Sequence, residues 1–280
     1  MSNKYPIHAI GRHRIVRDGK GVTTLVGVCG CPLKCRYCIN PSHSKMLASG
    51  ALSCSDLLDM VNIDNLYFLA TGGGITFGGG EPLLYPELIF EFASNCNKRW
   101  NINIETSFNV PTPHVEKVIS IVNEIIVDIK DMNPQIYQNY TGYSNKQVLD
   151  NLRYVSSTQY VNKILVRVPL IPNYNSMDDV HTSIKQLKEL GFTRIDQFVY
   201  ISDVDYLNHT DTGFYGKHVC EILKKVRKAI IASTNIGYKL LSCSHTRCES
   251  GTCPACEQEL QHIEELIINK TICINKTKKT

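Results

Sequence analysis

Three thiols stand within eight residues, Cys31-Pro32-Leu33-Lys34-Cys35-Arg36-Tyr37-Cys38, in the spacing C-x-x-x-C-x-x-C. Close thiolates suit a metal centre, and a 4Fe–4S cluster normally takes four of them. Three close ligands can grip three irons and leave the fourth open, by the logic that separates catalytic from structural zinc sites. A zinc knuckle is the plainer alternative, but structural zinc wants four ligands, usually as two close pairs. Cys29 stands only two residues from Cys31, which suits neither pattern. A disulfide needs an oxidising compartment, and the opening Met1-Ser2-Asn3-Lys4-Tyr5-Pro6-Ile7-His8 carries no apolar signal core.

A second thiol group, Cys243, Cys248, Cys253 and Cys256, falls within fourteen residues, with Gly251 and Pro254 supplying tight turns. In a reducing compartment such a group points to a bound metal, either zinc or a second iron–sulfur cluster. His245 can replace one cysteine at zinc, and unligated thiols are the remaining reading.

Between these groups lie other residues able to do chemistry. Gly78-Gly79-Gly80-Glu81-Pro82 follows a short apolar run, and glycines allow close backbone approach and positive φ. Glu105-Thr106 ends an alternating polar–apolar stretch. Asp128 and Lys130 fall two apart in Glu124–Lys130, so a strand would turn both to one side. Two such charges facing inward are costly unless paired or bound to a ligand. Arg167 sits in the next apolar run, Lys163 to Pro172.

Strand signals cover Val22–Val28, Ile75–Phe77, Asn101–Ser107, Glu124–Lys130, Lys163–Pro172 and Arg194–Ile201. Helices are expected at Ser53–Asn62, capped by Ser53 or Ser55, and at Pro86–Asn97. Others are expected at Pro113–Val122 capped by Thr112, Met177–Leu190 and Asp211–Ala232. The last carries Lys217, Lys224, Lys225, Arg227 and Lys228, which reads as a solvated face. Six strand–helix alternations argue for an α/β barrel or part of one. The length of 280 residues and 43% hydrophobic content allow a full core in one large domain with an appendage. A net charge of +4 is too mild to argue for nucleic acid, and no run reaches a membrane span of roughly 20 apolar residues. The expected location is the cytoplasm, and the polar tail from Asn269 to Thr280 is expected to fray.

The triplet with Tyr37 before its last cysteine, together with Gly79-Gly80-Glu81-Pro82, resembles the radical S-adenosylmethionine (SAM) superfamily. Within it, Asp128-Ile129-Lys130-Asp131-Met132, Tyr140-Thr141-Gly142 and Asn145–Leu152 resemble the glycyl-radical-enzyme activating enzymes, pyruvate formate-lyase activating enzyme among them. Cys38-Ile39-Asn40-Pro41 departs from that group's C-H-N-P at Ile39, and Asn173 stands where the group has glycine. The group's P-Y-H segment is also lacking near Tyr200.

The resemblance implies a partial (β/α)6 TIM-type barrel, expected over residues 1–235, while the second thiol group marks residues 236–280 as a Cys-rich extension that the minimal activating enzymes do not carry. It implies a 4Fe–4S cluster on Cys31, Cys35 and Cys38, and SAM held by Gly79, Gly80, Glu81, Thr106, Asp128, Lys130 and Arg167. One electron would cleave SAM to methionine and a 5′-deoxyadenosyl radical, which abstracts hydrogen from a glycine of a partner glycyl radical enzyme. A flavodoxin- or ferredoxin-type protein would donate the electron. Two other functions compete: a radical SAM enzyme that modifies a peptide or small molecule with help from an auxiliary cluster, and a non-catalytic zinc-binding interaction protein.

Overall fold

The computed structural model describes residues 3–15, 18–40, 50–200, 212–241 and 253–277. Its centre is a seven-stranded sheet of β2 (Ile7–Ile15), β3 (Val22–Val28), β5 (Gly74–Gly79), β6 (Asn101–Thr106), β7 (Glu124–Asp128), β8 (Ile164–Leu170) and β9 (Ile195–Val199), in that spatial order. From β3 to β9 every neighbour is parallel, which gives the six parallel strands expected. Among the described residues β2 and β9 each have one strand neighbour, so the sheet stays an open, partial barrel. Ile125, Ile126 and Val127 on β7 are all buried, as befits a strand covered on both faces.

Helices cross between these strands. They are α1 (Cys54–Asn62), α2 (Asn65–Thr71), α3 (Pro86–Asn95), α4 (Thr112–Ile119), α5 (Pro134–Thr141), α6 (Lys146–Ser156) and α7 (Met177–Glu189). Ser53 starts α1 with a capping box: its hydroxyl accepts from the Asp56 N–H while the Asp56 carboxylate accepts from the Ser53 N–H. The expected Thr112 cap is not formed. Pro111 stands at the cap of α4, and the Thr112 hydroxyl donates instead to Asn151 at 2.7 Å. That buried amide in turn donates to the carbonyls of Phe108 and Val110, fixing the loop after β6.

The sequence reading misses β2, because its apolar and polar residues do not alternate cleanly. The strand pairs antiparallel to β3 with register shifts between Ile7 and Ala9 and between Gly11 and Arg14. A small antiparallel ladder of β1 (Lys4–Tyr5) and β4 (Leu52–Ser53) lies beside the sheet. The sequence reading also lacks α2, α5, α6 and the last helix, Pro254–Thr277; α2 and α5 are short and end on left-handed glycines, Gly72 and Gly142.

Two long helices, α8 (Thr212–Thr234) and α9 (Pro254–Thr277), follow the sheet. Arg227 is not on a solvated face. Its side chain is 2% exposed, and it pairs with Glu259 on α9 at 3.0 Å and donates to Tyr67 on α2 at 2.5 Å. Helical spacing puts it on the stripe of Leu223 and Ile230, which the packing buries. Nor is the tail frayed through its length. Helix α9 runs to Thr277, and Lys270 reaches back to the carbonyls of Thr234 and Asn235 at 3.1 and 2.7 Å.

The deepest polar knot joins β2, β3 and α9 to the start of α2. Asp64, fully buried, accepts from both Nε and Nη2 of Arg12 at 3.0 and 2.7 Å and from the Thr24 hydroxyl at 2.8 Å. His13 Nε2 lies 2.9 Å from the same carboxylate, and Arg12 also pairs with Glu257 of α9. Burial alone would raise the Asp64 pKa, but His13 and Arg12 outweigh it and hold the carboxyl at about 2. A depressed folded-state pKa contributes stability that is present above the unfolded value near ~4 and lost as pH falls toward the folded one. Urea unfolding across a pH series should therefore show wild-type stability falling between about pH 4 and pH 2. At neutral pH Asp64→Asn should cost about 2–3 kcal/mol and should lack that acid-dependent component. Parallel pH curves for the two proteins would refute this account.

Candidate active site

The loop after β3 crosses the carboxyl ends of the parallel strands, the end at which α/β barrels place chemistry. Backbone hydrogen bonds hold it on both sides. Cys29 N–H donates to Pro6 at 2.8 Å, while Lys34 and Arg36 donate to Thr141 and Tyr140 at 3.0 and 3.2 Å. Cys31, Cys35 and Cys38 then line one cavity of about 140 Å³. Gly79, Gly80, Glu81, Thr106, Asp128 and Lys130 line the same cavity. Nine of the residues singled out in the sequence thus meet, although they come from four separate strand ends.

Each keeps distinct company. Glu81 is 1% exposed and both its oxygens are spent. Oε1 accepts from the Thr106 hydroxyl at 2.6 Å and the Leu83 N–H at 3.1 Å; Oε2 accepts from the Ser107 N–H and hydroxyl at 2.9 and 2.7 Å. Burial still pushes the Glu81 carboxyl above the usual range against the pull of these donors. The glycines serve backbone-to-backbone contact. A Cβ on Gly80 would stand 2.1 Å from the Gly30 carbonyl oxygen, and one on Gly79, whose φ is +89°, 2.7 Å from the Gly27 Cα. That closeness lets the Gly80 and Glu81 N–H groups donate to Val28 and Gly30 at 3.0 and 2.8 Å.

Lys130 pairs with Asp128, as two inward charges require, though not through strand alternation. Strand β7 ends at Asp128, and Lys130 turns back with a left-handed φ of 59°. Burial pulls its pKa down, but Asp128 and then Cys35 outweigh that and leave it above the ordinary lysine value. Asp128 Oδ1 is buried with no hydrogen-bond partner among the described residues. Burial pushes the Cys31 thiol to about 12 and the Cys35 thiol to about 11, with Lys130 opposing at Cys35. Half-buried thiols facing a common space, with a cation at hand, are a donor set that fits an iron–sulfur cluster. Among the described residues no group of three ligand-type side chains converges tightly enough for a single metal ion.

Arg167 is placed differently. It lies in an adjoining cavity of about 540 Å³ with Arg14, Asp18, Leu25, Asp196 and Phe198. There it pairs with Glu105 at 2.6 Å and approaches Asp196 at 3.8 Å. Ile39, Asn40, Gly79 and Glu105 wall both cavities, so the two adjoin. The sequence reading names Glu105 and Asn40 only as members of their motifs and gives Ser107 and Asp18 no role at the site. Asp18 is 3% exposed, and its carbonyl accepts from Thr76 and Asn103 inside the sheet.

In the second thiol group, Cys253 stands just before α9 and Cys256 in its first turn, where the guanidinium of Arg227 lies 3.8 Å from the Cys256 sulfur. Cys243 and Cys248 lie outside the described residues.

Glu81 should matter to folding before any cofactor is considered. Glu81→Ala would leave two hydroxyls and two N–H groups short of an acceptor, and should cost about 3 kcal/mol or more in urea unfolding. Glu81→Gln keeps one oxygen and should cost less. An alanine variant as stable as wild type would overturn this role.

A family model of the radical SAM superfamily matches residues 25–186. The chain is 31% identical over 173 residues to the (2S)-3-sulfopropanediol dehydratase activating enzyme of Klebsiella oxytoca, covering 57% of this chain and 54% of that one. It is 26% identical over 231 residues to the isethionate sulfite-lyase activating enzyme of Desulfovibrio desulfuricans, covering 60% and 74%. It is 28% identical over 184 residues to the pyruvate formate-lyase-activating enzyme of Clostridium pasteurianum, covering 66% and 75%. The chain thus spans about half the length of the first of these relatives. Streptococcus suis SuiB, solved with its precursor peptide SuiA, shares the fold at a TM-score of 0.50 and 13% identity, over 75% of this chain and 45% of that one. Because the family match takes in more than half of the chain, from the cysteine loop through the glycine run to α7, the chain belongs to the radical SAM superfamily.

Proposed function

We propose that this protein is a glycyl-radical-enzyme activase, taking hydrogen from a glycine in a partner enzyme. The observation that carries the reading is a pair of adjoining cavities: a thiol-lined one at the strand ends, sharing a wall with a charged lumen. Similarity to three activating enzymes supports the choice of substrate. When bound, a 4Fe–4S cluster and SAM supply one-electron cleavage to a 5′-deoxyadenosyl radical.

The chain's own residues do the rest. Cys31, Cys35 and Cys38 would carry three irons. Lys130 offers a buried cation to the carboxylate of SAM, and Asp128 keeps one oxygen unspent for a ligand. Gly79 and Gly80 keep the wall thin, and Glu81 with Thr106 holds that wall in place. Arg167, Glu105 and Asp196 present donors and acceptors along the lumen, where an extended peptide needs both. A flavodoxin- or ferredoxin-type donor in the cytoplasm would supply the electron.

A second reading keeps these cofactors and adds a metal at Cys243, Cys248, Cys253 and Cys256, for work on a peptide or small molecule. The meeting of Cys253 and Cys256 beside α8 favours it. In this reading residues 236–280 form an extension to a 1–235 core.

Two measurements test these readings. Anaerobically reconstituted and reduced protein, given SAM, should yield 5′-deoxyadenosine and methionine, and Cys35→Ala should yield none. No product from wild-type protein that binds zinc and no iron would leave a metal-stabilised binding protein. For the second reading, the double variant Cys253→Ala/Cys256→Ala should lose metal while retaining the iron of the first cluster. Metal content equal to wild type would remove the second site.

A further inference from the structure

Strand β9 presents Asp196, Phe198 and Tyr200 in alternation. Asp196 and Phe198 line the lumen, whereas Tyr200, just past the strand, lines the thiol cavity. One side of β9 therefore runs from one cavity into the other. Tyr200 also makes two contacts with the loop between the cluster cysteines. Its ring stacks on Tyr37, with centroids 6.2 Å apart and planes at 27°, and its hydroxyl donates to the Tyr37 carbonyl. Tyr37 is the second residue after Cys35 and the one before Cys38.

The Tyr37 ring is held from other sides as well. Tyr140 of α5 and Tyr174 beyond β8 meet it edge-on at 6.1 and 5.6 Å, and Asn173 donates to its hydroxyl at 3.3 Å. Tyr140 and Tyr174 meet each other at 5.0 Å. Those contacts come from α5 and from the turn after β8. Tyr200 alone of these directly follows β9, which among the described residues has β8 as its one strand neighbour. Beside it, Val199 is 59% exposed and Ile39 of the cysteine loop 63%. An unpaired edge is the easiest part of an open sheet to move, and Tyr200 ties that edge to the backbone between two thiols.

We propose that Tyr200 is a positioning residue that fixes the backbone between Cys35 and Cys38 and carries movement of β9, on the substrate side, to the metal centre. The proposal rests on the reading of Cys31, Cys35 and Cys38 as cluster ligands. The hydroxyl sets the Tyr37 carbonyl, the stacked ring sets its side chain, and together they limit how far Cys35 and Cys38 can spread. A ligand that displaces Asp196 or Phe198 shifts the same strand and so pulls on that carbonyl.

Tyr200→Phe keeps the ring and removes the donor; Tyr200→Ala removes both. In metal-free protein, the alkylation rates of Cys35 and Cys38 by iodoacetamide should rise several-fold in Tyr200→Phe and further in Tyr200→Ala. The rate at buried Cys54, on α1, should stay unchanged. In reconstituted protein, Tyr200→Phe should retain wild-type iron and sulfide yet give a shifted electron paramagnetic resonance spectrum of the reduced cluster, with and without SAM. Wild-type alkylation rates and an unshifted spectrum in Tyr200→Phe would overturn the proposal. If Tyr200→Ala also frees Cys54, it has lost its fold, and Tyr200→Phe decides alone. Wild-type protein that takes up no iron would defeat the cluster reading, while the alkylation rates would still show whether Tyr200 holds the loop.

Discussion

The buried carboxylate of Glu81 is the interaction on which the mouth of the sheet depends. It sits between the ends of β5 and β6 and gathers four donors, while its own N–H reaches Gly30 in the cysteine loop. A buried carboxylate is tolerable only when its lone pairs are filled. Filling them obliges Thr106, Ser107 and Leu83 to converge, and the loop that starts at Gly30 must then lie against the glycine run. The absence of side chains at Gly79 and Gly80 is what allows that approach. The cysteine loop, the glycine run and the end of β6 therefore meet at one carboxylate.

A second constraint acts on the far side. Asp64 and Arg227 are each buried, and each is satisfied only by partners from several elements. Losing one partner of such a group costs more than the pair is worth in a fully satisfied state. The Asp64 knot therefore fastens β2, α2 and α9 to one another, and Arg227 fastens α8 to α9 and α2. Among the described residues these anchors leave the other edge of the sheet, at β9, without a comparable buried charged tie. The contact of Tyr200 with Tyr37 is the counterpart on that edge, lighter and closer to the thiols.

The two cavities differ in kind. The thiol cavity holds a paired cation and three thiols, of which burial raises Cys31 and Cys35, a setting made for ligands that bring their own positive charge. The lumen holds guanidinium and carboxylate groups already matched with one another, Arg14 with Asp18 and Arg167 with Glu105. A matched lining does not attract one strongly charged ligand over another. It suits neutral groups that exchange hydrogen bonds, as a peptide backbone does.

Much of this was legible in the sequence. Spacing alone brought Cys31, Cys35 and Cys38 together, since residues so close along a chain meet in almost any loop. Period and β-branching marked all six parallel strands, because strands buried on both faces must be apolar along their length. Ser53 and Ser55 marked the start of α1, and the structure gives the cap to Ser53, with Asp56 completing a capping box. The tertiary structure decided what depends on distant partners. Strand β2 has no clean alternation and exists because β3 offers it an edge. Arg227 looks like one basic residue among several until α9 covers it, and Thr112 could not be told from a cap until Asn151 claimed its hydroxyl. The meeting of Glu81 with Thr106 and Ser107, and of Tyr200 with Tyr37 across 163 residues, follows from parallel strands ending at one level. Local spacing determines which side chains can share a turn; only the closing of the sheet determines which turns share a site.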